Sequence, residues 1–219
     1  MSIETMGLRE SKKRETRQSI SDHATRLFLT KGFEVTTIAD IAAAARVAKK
    51  TVTNYYPRKE DLAFDHHEEF VASLADAVRA RAAGEAALTA LRRAFQASVE
   101  AHNPVAGFAG PDFSRMISES PTLTNRLRDL HDLREEALAE ALAEATGETG
   151  KDLTPRMAAA LLGAAHRLLF QRIQELTLAG HDNGRITSIV SAEADHVFEL
   201  LEPALGGYAA DRVPPDGGE

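Results

Sequence analysis

The chain has 219 residues, 43% of them hydrophobic, no cysteine, and a formal net charge of −7. That composition suits a folded protein with a substantial core. The lack of cysteine excludes a disulfide framework, a thiol nucleophile and any Cys-ligated zinc or iron–sulfur centre. No apolar run approaches the roughly 20 residues that span a bilayer, and the opening MSIETMGLRESKKRETR has no apolar signal stretch. A cytoplasmic chain with no membrane partner is expected.

Charge is unevenly spread. Residues 1–62 hold 12 Lys/Arg against 8 Asp/Glu, and residues 63–219 hold 14 against 25. A basic head on an acidic body would turn that head toward a polyanion, although chance segregation on a solvated surface gives the same numbers.

Almost every segment has helical period. Ile20, Ala24, Leu27 and Phe28 form a first stripe, and Gly32 stops it. Before it lies a basic arm, Arg9, Lys12, Lys13, Arg14 and Arg17, which either tracks phosphates and the minor groove or is a solvated tail. Thr36 or Thr37 can cap a helix over Ile38–Ala44. A turn at Ala45–Val47 leads into Lys49–Tyr56, which Pro57 closes. One helix is then expected from Arg58 to about Arg81, its first turn carrying the acidic Glu60 and Asp61. Further helices follow over Glu85 to about Ala101, Asp112–Glu119, Pro121 to about Thr146, Pro155 to about Ala179 and Ile186 to about Leu205. The segment HNPVAGFAGP and the linkers GETGKDLTP and HDNGR separate them. The end, GGYAADRVPPDGGE, reads as a mobile tail. No alternating run or hairpin signal stands out, so the expected fold class is all-α with about nine helices.

The two short helices around Ala45–Val47 have the form of a helix-turn-helix, whose second helix lies in the major groove while the first braces it. Ile38, Ile41 and Ala42 face inward, and Val52 and Tyr56 fasten the second helix. Lys49, Lys50, Thr51, Thr53, Asn54 and Tyr55 are left outside. Lys can donate to guanine O6/N7, Asn can read adenine, and a Thr methyl can meet a thymine methyl.

The run GF at 32–33, TT at 36–37, IADIAAAA at 38–45, Val47, KKT at 49–51, YYP at 55–57 and KEDL at 59–62 resembles the DNA-binding domain of the TetR family of bacterial repressors. The resemblance covers residues 14–65, and the helical remainder resembles the family's second domain in architecture. It implies residues 1–62 as the arm and DNA-binding domain, 63–206 as an effector-binding and dimerisation domain, and 207–219 as a tail. It further implies base contacts from Lys49, Lys50, Thr51 and Thr53, phosphate contacts from Thr37, Tyr55 and Lys59, and a lesser part for Asn54. Three positions depart from the pattern, one of them Thr53, which stands where the family often has an aromatic residue. Arg46 stands where the family has Gly, at a left-handed turn, and Ala48 stands where it has a capping Ser.

The function implied is a ligand-responsive, sequence-specific transcriptional regulator, a repressor that binds a palindromic DNA operator as a homodimer and is released by a small-molecule effector. The last two long helices would form the dimer contact as a four-helix bundle. Polar residues on apolar stripes are candidate effector contacts: Arg134 on the stripe of Leu123, Leu127 and Leu130, His131 beside it, and His166 between Leu162 and Leu169. Phe95, Phe108, Phe113, Met116, Leu127 and Phe170 would line apolar walls. Such a site suits an anionic amphiphile, for instance an acyl thioester or an aromatic acid. For each residue alone a structural role is the plainer reading: a core histidine, or an arginine paired with a nearby carboxylate.

No catalytic residue, metal site or cofactor is expected. The phosphate-loop, dinucleotide and nucleophile-elbow motifs are missing. Glu193-x-x-His196 has the spacing of half a di-iron site but lacks its second half. His66-His67-Glu68-Glu69 points around a helix, adjacent side chains lying about 100° apart. A plain helical interaction module would leave the Lys49–Tyr55 surface unexplained.

Overall fold

The computed structural model describes residues 3–210, with side chains from Ser11 onward. Every regular element among them is helical: α1 (Ile3–Lys31), α2 (Ile38–Ala44), α3 (Lys49–Tyr55), α4 (Lys59–Ala63), α5 (His67–Arg79), α6 (Ala87–Glu100), a 3-10 turn (Pro104–Ala106), α7 (Pro111–Glu119), α8 (Pro121–Thr146), α9 (Leu153–Leu178) and α10 (Asn183–Leu205). Among the described residues that makes ten α-helices rather than about nine. The chain divides into two compact units.

The first unit runs to His67 and also takes in Arg115–Arg126, a stretch that the sequence reading placed in the second domain. Its core is the α1 stripe of Ile20, Ala24 and Phe28 against Phe33, Ile41, Val52, Tyr56 and Leu62. Each fully buried large apolar side chain contributes about 1.5–3 kcal/mol. Gly32, at φ +93°, ends α1 in a conformation that a Cβ would strain. The basic arm does not precede the first helix but belongs to it. Arg9 lies within α1, Lys12, Lys13 and Arg14 are exposed on it, and Arg17 stacks over the Tyr56 ring.

The single helix expected over Arg58–Arg81 is broken. The Phe64 backbone leaves the helical region at φ −111° and ψ 56°, and its carbonyl accepts from the His67 N–H at 2.9 Å and faces His67 Nδ1 at 2.7 Å. Next to it Asp65 accepts a short hydrogen bond from the buried Ser21 hydroxyl. Tertiary bonding at this point outweighs the propensity to continue.

The second unit comprises Glu68–Ser114 and residues from Leu127 onward. Helix α10 packs on α6 and α9, burying Leu88, Leu91, Leu162, Ile173, Val190 and Phe198. At Gly107, φ +120°, an added Cβ would lie 2.9 Å from the Phe170 carbonyl, so the turn after α6 can approach α9 only through glycine. The expected mobile tail is partly wrong. The Tyr208 carbonyl accepts from the Ala87 N–H at 3.1 Å, the Ala209 carbonyl accepts from Arg81 Nε at 3.0 Å, and Ala209 is buried. Residues 211–219 lie outside those described. No described helix is long and apolar enough to cross a membrane.

Candidate nucleic-acid interface and ligand cavity

The helix-turn-helix is built from both ends of α2. At its start the Thr37 hydroxyl accepts from the Asp40 N–H at 3.2 Å while the Asp40 carboxylate accepts from the Thr37 N–H at 2.9 Å, a reciprocal capping box. The hydrogen bond from Thr37, its largest cause, holds the Asp40 carboxyl below the usual range. At the end of α2 the Val47 N–H reaches the Ala42 carbonyl at 2.9 Å and the Arg46 N–H reaches Ala43 at 3.2 Å. This is a Schellman turn, whose left-handed position is normally glycine; here it is Arg46, at φ +56°. Helix α3 then starts at Ala48 with no side-chain cap.

What fixes α3 is its inner face. Val52 and Tyr56 are fully buried, and the Tyr56 hydroxyl donates to the Arg17 carbonyl at 3.2 Å. Lys49, Lys50, Thr53 and Asn54 are consequently exposed, while Thr51 and Tyr55 are half-buried. The Thr53 hydroxyl returns to the Lys50 carbonyl at 3.2 Å, so it is engaged on its own helix. This surface offers two cations, an amide and a methyl, the side-chain chemistry that reads base edges.

Lys59 is placed differently from the phosphate contact expected of it. Its Nζ donates to the carbonyls of Phe33 at 2.9 Å, Thr36 at 3.2 Å and Glu34 at 3.4 Å, and lies 4.1 Å from the Phe33 ring centre. An ammonium has three N–H groups, and all three are engaged in closing the α1–α2 connection. The same unit holds two side-chain ties to its later stretch. Ser120 donates to the Glu34 carboxylate, which that bond chiefly holds below its usual range, and Arg126 grips Asp61 at 2.8 Å.

In the second unit, a cavity of about 40 Å³ is lined by Ser73, Leu74, Ala94, Phe95, Ser98, Val105, Ala106, Arg134 and His166. Three of the expected ligand contacts meet there: Phe95, Arg134 and His166. His131 and Phe170 pack in a T-shaped cluster with Phe70, at centroid distances of 5.1–5.7 Å, and Phe70 in turn lies under Arg134. Leu127 is half-buried on α8, Phe108 stacks on His102, and Phe113 is half-buried on α7; none of them lines the cavity. Met116 belongs to the first unit. The wall residues Ser73 and Ser98 were missed, because an isolated serine on a helix carries no pattern.

The carboxylate expected beside Arg134 is missing among the described residues; Nε instead donates to Ser73 Oγ at 2.9 Å. Burial pushes this guanidinium down to about 9, so it stays cationic at neutral pH. Burial, with Arg134 adding repulsion, pushes both His131 and His166 down to about 3, and each has an Nε2 with no hydrogen-bond partner. Both imidazoles are neutral. Among the described residues no cluster of His, Asp and Glu could hold a metal.

Residues 20–65 match the family described as bacterial regulatory proteins, tetR family. The HTH-type transcriptional regulator TcmR of Streptomyces glaucescens is 29% identical over 169 residues, which cover 74% of this chain and 75% of that protein. Among solved structures, NalD of Pseudomonas aeruginosa, the secondary repressor of the MexAB-OprM multidrug efflux pump, matches at TM-score 0.53 and 19% identity over 89% of this chain and 98% of that one. GusR of Salmonella enterica matches at TM-score 0.51 and 19% identity over 88% and 96%. At such identities the two structures attest the fold alone. Taken with the capped α2 and the inward-fastened α3, these similarities mean that residues 20–65 form a helix-turn-helix domain of the tetR type, in a chain similar over most of its length to a transcriptional regulator.

Proposed function

We propose that the protein is an effector-responsive repressor that binds a palindromic operator as a homodimer in the cytoplasm. The observation that carries this reading is the outer face of α3, where Lys49, Lys50, Thr53 and Asn54 stand exposed on a helix held from behind by Val52 and Tyr56. In this reading Lys49, Lys50, Thr51 and Thr53 meet base edges, and Thr37 and Tyr55 meet phosphates. Asn54 has a minor part. Lys59 shapes the α1–α2 connection instead of touching DNA.

One such head reads few base pairs, and a twofold dimer reads two half-sites about 34–36 Å apart. The second unit has a surface suited to that pairing. Leu153, Met157 and Leu168 of α9 are 79%, 62% and 62% exposed, and Leu200 of α10 is 67% exposed. An apolar stripe of this kind marks an interaction surface. Partnered across a twofold axis, α9 and α10 make a four-helix bundle. The effector would sit in the cavity beside Arg134 and His166.

The test is direct. Purified protein should retard DNA flanking its own gene, with affinity falling steeply as salt rises. It should sediment as a dimer, and Leu168→Glu should yield monomers that bind DNA far more weakly. A protein that retards no flanking fragment, or a monomer of full affinity, would overturn the reading.

A further inference from the structure

Arg134 and Arg126 lie on the same helix and both are largely shielded from water, yet only Arg126 has a carboxylate partner, Asp61. A buried guanidinium without a counter-ion is unfavourable and is usually paired. Against Arg134 lies the cavity, which Ser73, Ser98 and His166 also line, and His166 Nε2 is buried and bonds to nothing. The walls opposite are apolar: Leu74, Phe95, Val105 and Ala106.

Resting on the reading of this unit as an effector receptor, we propose that the cavity binds the carboxylate of a monocarboxylic acid. Arg134 is its counter-ion, and His166, in the tautomer with a proton on Nε2, donates a second hydrogen bond. One charge is what the site can balance. His131 and His166 are neutral, so a phosphate or a nucleotide-linked thioester would bring two or more negative charges to a single cation. An amine would meet Arg134 as a like charge, and a neutral amide would leave it uncompensated. Size sets a second limit. At about 40 Å³ the cavity takes the head group, and its partly open side leaves the apolar body of the acid outside it.

Calorimetry and thermal shift of the full chain, without DNA, test this with octanoate and benzoate against octanamide, benzamide and octyl phosphate. The acids should bind and raise Tm, and each amide should bind about 30-fold or more weakly, as expected when a buried charge loses its partner. Octyl phosphate should bind less tightly than octanoate. Arg134→Gln should abolish the preference for acid over amide, and Arg134→Lys should keep part of it. The wild-type comparison of acid with amide needs no variant to fold. Absence of binding by both acids, equal binding of acid and amide, or an unchanged preference in a folded Arg134→Gln overturns the proposal. Acid binding that leaves operator affinity unchanged supports the carboxylate site and sinks the effector reading. Operator binding with no acid preference does the opposite.

Discussion

Asp61 on α4 and Arg126 on α8 meet at 2.8 Å with side chains 8% and 12% exposed, which makes theirs a shielded ion pair within the first unit. Removing one partner of such a pair strands the other charge, at a cost of about 3–5 kcal/mol, whereas replacing both by apolar groups of similar volume is often neutral. Asp61→Leu and Arg126→Met should each lower stability by about 3 kcal/mol in urea melts. Asp61→Leu with Arg126→Met should recover most of that loss. A loss in the double variant equal to the sum of the two single losses would show that the two side chains act independently.

Arg46 holds the left-handed position of the turn after α2. Arg46→Gly should stabilise the protein by about 1 kcal/mol, because a non-glycine residue there crowds its own Cβ. The melting temperature should rise by a few degrees, measured by circular dichroism. A fall would mean that the arginine side chain makes a contribution larger than its backbone strain.

Lys59 bonds three carbonyls of the α1–α2 connection, whereas Lys50 is exposed on α3. Lys59→Ala should therefore destabilise the first unit by about 2 kcal/mol, the order expected when partly shielded carbonyls lose a charged donor. Lys50→Ala should change stability by less than about 0.5 kcal/mol and act on DNA affinity alone. Equal melting temperatures for wild type and Lys59→Ala would contradict this assignment.

Lys49 and Thr53 stand outward on α3. Once an operator is defined, Lys49→Ala and Thr53→Ala should each relax preference at one base-pair position by about 1–3 kcal/mol. Binding titrations against single-base operator variants measure it. Uniform weakening across all variants would reassign them to the phosphate backbone.

His131 and His166 both sit at about 3 in the fold, below the ordinary 6.5. As pH falls from 6.5 the unfolded chain takes up these protons first, so folding stability rises with pH between about 3 and 6.5 and is lost on acidification. From pH 6.5 to 4.5 the two histidines together should remove about 4 kcal/mol. Urea melts across that range give the slope, and His131→Leu with His166→Leu should flatten it. An unchanged slope in the double variant would place the acid sensitivity elsewhere.

Much of this fold is legible in the chain because its ends are chemically marked. Thr37 with Asp40 opens α2, Pro121 stands first in α8, and Asp182 caps α10. The break after α4 is not legible, because it is held by a bond between Ser21 and Asp65, 44 residues apart. The start of α1 has no apolar period to announce it. On α9 the apolar pattern is real, but period alone cannot separate the half facing the core (Leu162, Leu169, Ile173) from the half facing outward (Leu161, Leu168). At the candidate sites, the outward face of α3 followed from Val52 and Tyr56. The burial of Arg134 followed from its place on the α8 stripe. Its lack of a carboxylate, and the inward turn of Lys59, depend on neighbours far away in sequence.

Ala48 leaves α3 without a cap, and the turn before it is strained at Arg46. The proposed recognition helix is thus less secured at its leading end than α2. Its first backbone amides, Lys49 and Lys50, should exchange hydrogen with solvent sooner than those of α2, whose start is closed by a capping box. An operator that orders this end must remove freedom from it. Association then has an entropic component opposing it, and a variant with serine at position 48 would reach the same complex from a quieter starting state.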